Sequence, residues 1–426
     1  MKIANDRKTN RREFLGGATA ASFMIIKPGL VRGTAANSAA RLGLLGCGNR
    51  GTHDATSMTS VSDARIVALA DLFEDRLQKA KSTFDNMAQS KGYPGIDSAQ
   101  MYRGPKAYEQ LANSKEIDGV IIATPSYFHP THLEAAVEAG KHVYCEKPCG
   151  IDIPGTRRVL EAGKKVNGRF SLAIGLELSY ATSFAEMVRR IQSGEVGKTA
   201  FAEAYYYAPP VILPPWPDVS PDERKVRNFF HYTDMCGGQI LDQGIHPLDV
   251  VNRCLQTHPV KAVGTGVRRV IHDDGDCWDL TSVIYTYPET TVTFSCTWFD
   301  NGWWDVCERF FGDKAVAEAH YSGPVAIYGD TVWSVGQVGG GHTPSDFSAA
   351  GVFKSNIGDA DTEKAKEFMQ SVISGQHRNE AESGVEATRT AILGRMAATM
   401  GREVTWDEML RSEEVLDPHI DLHKVS

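Results

Sequence analysis

The stretch Arg41–Gly51 constrains this chain more than any other. A short apolar run, Leu42, Leu44 and Leu45, leads into Gly46-x-Gly48-x-x-Gly51, and polar Asn49 and Arg50 then lead toward a helix. That strand–turn–helix context is the one a dinucleotide fingerprint needs. Gly46 permits the tight turn, Gly48 lets the backbone approach a pyrophosphate, and Gly51 lets the helix pack on the strand, with the helix N-terminus offering free N–H groups to the anion. Glycines at this spacing also mark ordinary turns, so the next strand carries the reading. Arg65–Ala70 is apolar and ends at Asp71, 20 residues after Gly51. A carboxylate there suits a ribose 2′-hydroxyl and repels a 2′-phosphate, which predicts NAD rather than NADP. Arg76, five residues on, softens that repulsion.

The alternation continues. A charged helical stretch over Leu72–Lys91 and a loop around Tyr93-Pro94-Gly95 precede an apolar strand, Asp118–Ala123, which ends in Thr124-Pro125. A helix over Leu133–Ala139 starts after His129-Pro130 and closes at Gly140, and the strand Lys141–Cys145 ends in Glu146-Lys147-Pro148. Strands alternating with helices predict a parallel, doubly wound sheet, with its ligand edge at the C-terminal ends of the strands. Gly46, Asp71, Thr124 and Lys147 all fall at that edge. Ser171–Leu178 then reads as a strand and Phe184–Gln192 as a helix. From Thr199 the texture changes to strands rich in Val, Thr and aromatics: Phe201–Tyr207, Val260–Val270, Leu280–Tyr287, Thr290–Trp298 and Val325–Trp333. Their alternation predicts a sheet with one covered face. Between the first two, Pro209, Pro210, Pro214, Pro215, Pro217 and Pro221 mark a long loop that carries Trp216 and ends at Arg227-Asn228-Phe229-Phe230, either a lid or a surface excursion. Lys364–Ile373 and Ala387–Met400 read as helices.

Composition bounds the rest. With 426 residues, 42% of them hydrophobic and 23% charged, the chain has room for two domains with real cores. A net charge of −8 leaves no basic footprint for nucleic acid, and no apolar run reaches the length of a membrane span. The eight cysteines are scattered, and Cys145-x-x-x-Cys149 lacks the close pairing of a zinc ribbon, so buried thiols are expected and no metal site is assigned. His272-Asp273-Asp274-x-Asp276-Cys277 reads as an acidic turn rather than a cation site. Residues 1–40 stand apart. Thr9-Asn10-Arg11-Arg12-Glu13-Phe14-Leu15 resembles the twin-arginine export signal, followed by an apolar stretch, Gly16–Val31, and small residues over Gly33–Ala40. The expected location of the mature protein is therefore the periplasm, with cleavage near Ala36 or Ala40.

GCGNRG, the strand ending in Asp71, ATPSYFH (Ala123–His129) and YCEKP (Tyr144–Pro148) together resemble the Gfo/Idh/MocA oxidoreductase family. The resemblance continues through LDQGIHPLD (Leu241–Asp249) to GREVTWDEM (Gly401–Met409). It implies an α/β fold: a Rossmann domain over 41–165 and a C-terminal α/β domain over 166–426. The large, mostly antiparallel open sheet of the latter forms the substrate face and often the interface of a homo-oligomer, a dimer or tetramer. It also implies that Lys147, Asp242 and His246 are catalytic and that Asp249 lies near the substrate. Candidate NAD contacts are Gly46, Gly48, Asn49, Arg50, Gly51, Asp71, Thr124, Pro125, His129, Glu146 and Lys147. Candidate substrate contacts are Lys147, Arg227, Asp242, His246 and Asp249.

These residue types suit the implied chemistry. Oxidising a secondary alcohol requires a base for the hydroxyl proton, and histidine has a suitable ordinary pKa of about 6.5. Lys147 can donate to the same oxygen and stabilise its developing charge. Asp242-x-x-x-His246 after Gly237-Gly238 places a carboxylate one helical turn from the imidazole it would orient; on spacing alone a surface pair fits as well, and Pro247 shortens the helix. Trp216, Trp298, Trp303 and Trp304, with Tyr205–Tyr207, supply aromatic faces for a sugar or glycoside, though aromatics also fill sheets. Three functions fit: a sugar oxidoreductase; an NAD-dependent glycosidase working by transient oxidation and elimination; and a non-catalytic binding protein. Outside the cytoplasm free nucleotide is not expected. NAD would then stay bound and be recycled, by a second sugar or by the same molecule, beneath the Pro209–Phe230 loop or an arm over residues 33–40.

Overall fold

The computed structural model describes residues 39–299, 304–330, 332–335 and 356–425. The twin-arginine segment, all but Ala39 and Ala40 of the arm expected over residues 33–40, and Trp303 lie outside the described residues.

Strands β1 (Arg41–Leu45), β2 (Arg65–Asp71), β3 (Met101–Arg103), β4 (Gly119–Ile122), β5 (His142–Cys145) and β6 (Leu172–Ile174) form one sheet in the order β3-β2-β1-β4-β5-β6. Every pairing is parallel. The runs are short and almost wholly apolar because helices cover both faces; all four residues of β4 are buried. The order reverses between β1 and β4, so the crevice of a doubly wound sheet opens beside Gly46. The first sheet extends past residue 165 to Ile174. The strand expected through Leu178 stops there because Glu177 turns inward in a short 3-10 turn, Glu177–Ser179.

Helix α1 (Asn49–Ser60) follows β1 and α2 (Glu74–Ser90) follows β2. Helix α3 (His129–Glu138) begins four residues before the expected Leu133, because Pro130 sits in its first turn, where no backbone N–H is needed. Further on, the chain makes two short helices where one was expected, α4 (Gln239–Asp242) and α5 (Ile245–Leu255).

The second sheet comprises β7 (Thr199–Ala208), β8 (Lys261–Val267), β9 (Leu280–Thr286), β10 (Thr291–Trp298), β11 (Asp305–Gly312), β12 (Ala315–His320), β13 (Val325–Gly329), β14 (Trp333–Val335) and β15 (Val404–Thr405). Their order is β14-β13-β12-β11-β7-β10-β9-β8-β15, and only β7 and β10 pair in parallel. Along β7, Ala202, Ala204, Tyr206 and Ala208 are buried in the core shared with α5, while Glu203, Tyr205 and Tyr207 lie on the other face. The β11–β12 hairpin was not legible, because Glu308 puts a charge on the buried face of β11 and β12 offers the core only Ala315, Ala317 and Ala319.

Two late helices tie the sheets together. Helix α6 (Ala360–Ser374) packs Ala365, Phe368 and Met369 against Leu42, Leu44 and Tyr144 of the first sheet. Helix α7 (Ala381–Met400) is buried along most of its length, with Ala391, Ile392 and Leu393 in the core of the second sheet. No described helix is long and apolar enough to cross a membrane.

Candidate active site

A cleft of about 770 Å³ opens at the C-terminal edge of the first sheet, lined in part by Gly46, Gly48, Asn49, Arg50, Asp71, Thr124 and Pro125. Gly46 has φ 93°, and a Cβ on it would meet the Ala123 carbonyl oxygen at 2.5 Å. A Cβ on Gly51 would lie 2.1 Å from the Gly46 carbonyl oxygen, so helix α1 can approach β1 only with glycine there. Above Gly48 the nearest atom to an added Cβ is Arg76 Nη1 at 3.8 Å, so this position opens onto the cleft. Gly48 caps α1 without a side-chain hydrogen bond, leaving the N–H groups of the first turn to an anion. Asp71 is buried and accepts from the Cys47 N–H at 2.7 Å and the Phe73 N–H at 2.9 Å. One oxygen takes each bond, so each keeps a lone pair for a hydroxyl. Size, open glycine, uncapped helix and carboxylate together fit a dinucleotide; small-molecule sites run to roughly 300–1,000 Å³.

Lys147, Asp242 and His246 meet beside the end of β5, but not as spacing suggested. The backbone breaks at Gln243-Gly244, where a Gly244 Cβ would lie 2.7 Å from Phe294 Cζ. Asp242 and His246 therefore belong to different helices. The Asp242 carboxylate faces Lys147, with Oδ1 3.6 Å from Nζ, and Lys147 Nζ also donates to the Asp242 carbonyl oxygen. The His246 ring turns instead to Glu177, Nε2 lying 3.7 Å from Oε1. Asp242 and His246 are 5% and 6% exposed. Burial, reinforced by Lys147, holds His246 well below its ordinary pKa, so at neutral pH it is an uncharged base.

Several expected contacts are placed otherwise. Arg50 lines the cleft, yet its guanidinium is engaged with Glu146 at 3.1 Å, Asp54 at 3.4 Å, Asp361 at 2.9 Å and Glu177 at 3.7 Å. Glu146 also accepts from the Tyr144 hydroxyl at 2.8 Å and lies 3.6 Å from Lys364 Nζ, so it belongs to this buried ionic cluster. Burial raises Asp54 and Glu177 to about 7, whereas Arg50 and Lys364 outweigh burial at Glu146 and hold it below the carboxylate range. His129 does not face the cleft; it is buried, with its ring nitrogens against the Pro148 carbonyl at 2.8 Å and the Thr124 carbonyl at 2.7 Å, stapling the ends of β4 and β5. Arg227 lies at the cleft rather than beside His246: it pairs with Asp75 and Glu223 and stacks between Phe73 and Trp216 at 3.7 and 4.4 Å. Asp249 is buried near the base of α5, accepts from Ser179 Oγ at 3.0 Å, and is raised by burial to about 6.

The aromatic expectations divide. Trp298 and Trp304 are buried at 0% and 1% exposure and fill the sheet. Trp298 donates to Gln243 Oε1 at 2.6 Å. Trp216 lines the dinucleotide cleft, and Tyr205 and Tyr207 stack on the open face of the sheet. The acidic turn folds onto its neighbours, Asp273 against Arg268 and His231 and Asp276 against the Thr233 N–H. All eight cysteines are buried thiols, and among the described residues no three His, Cys, Asp or Glu are placed to hold a metal ion. Glu177, Asp361 and Lys364 were missed. Glu177 carried a usable signal, a charged residue at the end of an apolar strand, the same signal that singled out Asp71 and Lys147.

The oxidoreductase family model "GFO/IDH/MocA, NAD-binding Rossmann fold" matches residues 40–174, and the C-terminal domain model of the same family matches residues 184–318. Myo-inositol 2-dehydrogenase of Thermotoga maritima is 24% identical over 57% of this chain and 63% of its own length. Inositol 2-dehydrogenase of Rhizobium meliloti is 24% identical over 67% of this chain and 77% of its own. Among solved structures, GenD2 from gentamicin A biosynthesis in complex with NAD superposes with a TM-score of 0.63 at 17% identity, covering 86% of this chain and 96% of that one. The matching region thus spans less than two thirds of the Thermotoga relative.

Proposed function

Since the chain belongs to the Gfo/Idh/MocA oxidoreductase family, with an NAD-binding Rossmann domain, we propose that it moves hydride between NAD and a secondary carbinol of a cyclic polyol or sugar. The observation that carries this is the meeting of Lys147, Asp242 and a buried His246 past the end of β5, the strand next to β4, whose end at Thr124 lines the dinucleotide cleft. Bound NAD supplies the hydride acceptor. The chain supplies the rest. His246 takes the hydroxyl proton: the O–H bond breaks, an N–H bond forms, and the carbinol carbon becomes a carbonyl. Lys147, steered by Asp242, donates to the substrate oxygen as its negative charge develops. The relatives named for inositol support a polyhydroxylated ring as substrate.

The finer reading joins this to the twin-arginine segment. Outside the cytoplasm, NAD has to stay bound and be recycled, and we favour a second keto-sugar as the hydride acceptor over return of the hydride to the same glycoside. The cleft supports retention: Val211–Pro214, Trp216, Phe229, Phe230, Ile420 and Leu422 line it with apolar surface. Sub-nanomolar retention corresponds to about −12 kcal/mol or better. The open face of the second sheet, with Phe201 stacked on Phe311 and with Val263 and Ile284 exposed, supports a homo-oligomer.

The test follows absorbance at 340 nm in the purified protein on adding one sugar or inositol, then a keto-sugar. Reduction by the first and reoxidation by the second is expected, while a free glycone released without net reduction favours the glycosidase. Lys147→Ala and His246→Ala should each lower turnover by about 10²–10⁴ with the fold retained, and Asp242→Asn by at least about tenfold. Near-normal turnover of a folded His246 variant removes it as the base.

A further inference from the structure

In sequence, Asp242 lies one helical turn before His246, but in the fold that carboxylate is committed to Lys147. The acid that meets the imidazole is Glu177, which comes from the end of β6 in the other domain, 69 positions earlier. Glu177 and His246 are 5% and 6% exposed, so the pair is shielded from water. Glu177 Oε1 lies 3.7 Å from His246 Nε2, and Oε2 lies 3.7 Å from Arg50 Nη2. The second ring nitrogen, Nδ1, is buried and has no hydrogen-bond partner.

A neutral imidazole has one donor nitrogen and one acceptor nitrogen, and its partner selects which is which. A carboxylate beside Nε2 selects the Nε2–H tautomer and leaves the Nδ1 lone pair unused. We propose that Glu177 is the positioning residue of His246: it orients the ring, fixes the Nε2–H tautomer, and so makes Nδ1 the nitrogen that accepts the substrate proton. The role of His246 as base rests on the oxidoreductase reading above; the pairing with Glu177 rests on geometry alone. At 3.7 Å the contact is an ion-pair distance rather than a hydrogen bond. Such contacts are often long without substrate and shorten in the reacting complex. Once Nδ1 has taken the proton, the imidazolium lies against the carboxylate in a water-poor site, where the attraction is strong.

The surroundings decide the charge state of the pair. Arg50 from α1 and Lys364 and Asp361 from α6 flank Glu177, and Glu146 stands beside them at the end of β5. Lys147 acts on His246 from the same strand end, and the Tyr206 and Tyr321 hydroxyls feel Glu177 from the second sheet. Burial outweighs the cations at Glu177 and raises it to about 7, so it ionises across neutrality. Below that pH the protonated acid no longer favours the imidazolium, and above it the carboxylate does. The positioning role therefore predicts that kcat/KM rises with pH through about 7.

The test compares wild type, Glu177→Gln and Glu177→Asp. In Glu177→Gln, kcat/KM at pH 8 should fall by about tenfold to a hundredfold, below the full 10²–10⁴ of a positioned base, and the limb near neutrality should vanish. Glu177→Asp should keep the limb and recover part of the rate. Independently of turnover, nitrogen-15 NMR of histidine-labelled protein at pH 8, where Glu177 is ionised, with the His246 signal assigned by its loss in His246→Asn, should show the Nε2–H tautomer in wild type and its loss in Glu177→Gln. An Nδ1–H tautomer in wild type overturns the proposal, as does a Glu177→Gln profile that keeps its limb. If no polyol or sugar is turned over by wild type, the oxidoreductase reading fails while the tautomer still decides the pairing; if Glu177→Gln does not fold, the wild-type tautomer and Glu177→Asp decide it.

Discussion

At Asp71 the two backbone donors, from Cys47 and Phe73, fix the carboxylate at the edge of the cleft and still leave it able to accept a ribose hydroxyl. Replacing it with serine removes the charge that repels a 2′-phosphate, with Arg76 at hand in the cleft lining. Asp71→Ser should shift the ratio of NADP to NAD affinity by about tenfold or more, the equivalent of about 1.4 kcal/mol. Fluorescence titration with each nucleotide checks this. Asp54 offers a second case. It is buried, neither carboxylate oxygen has a hydrogen bond, and burial raises it to about 7. A carboxyl raised in the native state binds its proton more tightly there than in the unfolded chain. Its contribution is therefore present at low pH and is lost as pH rises from the ordinary carboxyl range through about 7. Asp54→Asn cannot ionise, so its melting temperature relative to wild type should be about 2 °C or more higher at pH 8 than at pH 4, read by calorimetry at both values. Asp71 was legible because it ends an apolar strand at a known distance from three glycines. Asp54 was not, because its partner Lys364 lies 310 positions away.

Among the elements, the β1–α1 unit is the most locally determined. Gly51 lets the helix lie against the strand, and a methyl group there would overlap the Gly46 carbonyl oxygen at 2.1 Å. Gly51→Ala should cost about 1–3 kcal/mol of stability through overpacking, and it should weaken NAD binding more than a substitution on the far side of α1, since the uncapped N–H groups would be displaced. A melting curve with and without NAD separates the two effects. The α4–α5 break is the opposite case. The i,i+4 spacing of Asp242 and His246 fits one helix, and the local obstacle to it is Pro247, which cannot donate to the Gln243 carbonyl. At the break, Phe294 of β10, 50 positions away, packs so close to Gly244 that only glycine fits there. Because of that break, Asp242 serves Lys147 and the imidazole is left to Glu177.

In the whole molecule, the dinucleotide cleft is lined in part by segments far in sequence from the glycine motif. Trp216, with φ 42°, stacks under Arg227, while Phe73, Val226, Phe229, Ile420 and Leu422 form a small apolar cluster at the mouth of the cleft. Trp216→Ala should speed NAD release by about tenfold or more, a loss of about 1.4 kcal/mol, measured as nucleotide retained after gel filtration; unchanged retention would show that Trp216 adds nothing to the hold on NAD. The sequence by itself determined the parallel sheet, its ligand edge, the NAD-binding fingerprint and the strand-end positions of Asp71, Thr124 and Lys147. Each of these follows from short-range periodicity and turn chemistry, which a run of ten or so residues contains. Only the tertiary structure decided that Arg50 and Glu146 are spent on a buried ionic cluster, that Trp298 and Trp304 are core rather than sugar platforms, and that Glu177 is the partner of His246. Those outcomes depend on which charges and rings the packing of β6, α5 and α6 brings to within about 4 Å of each other, and no local pattern encodes that distance.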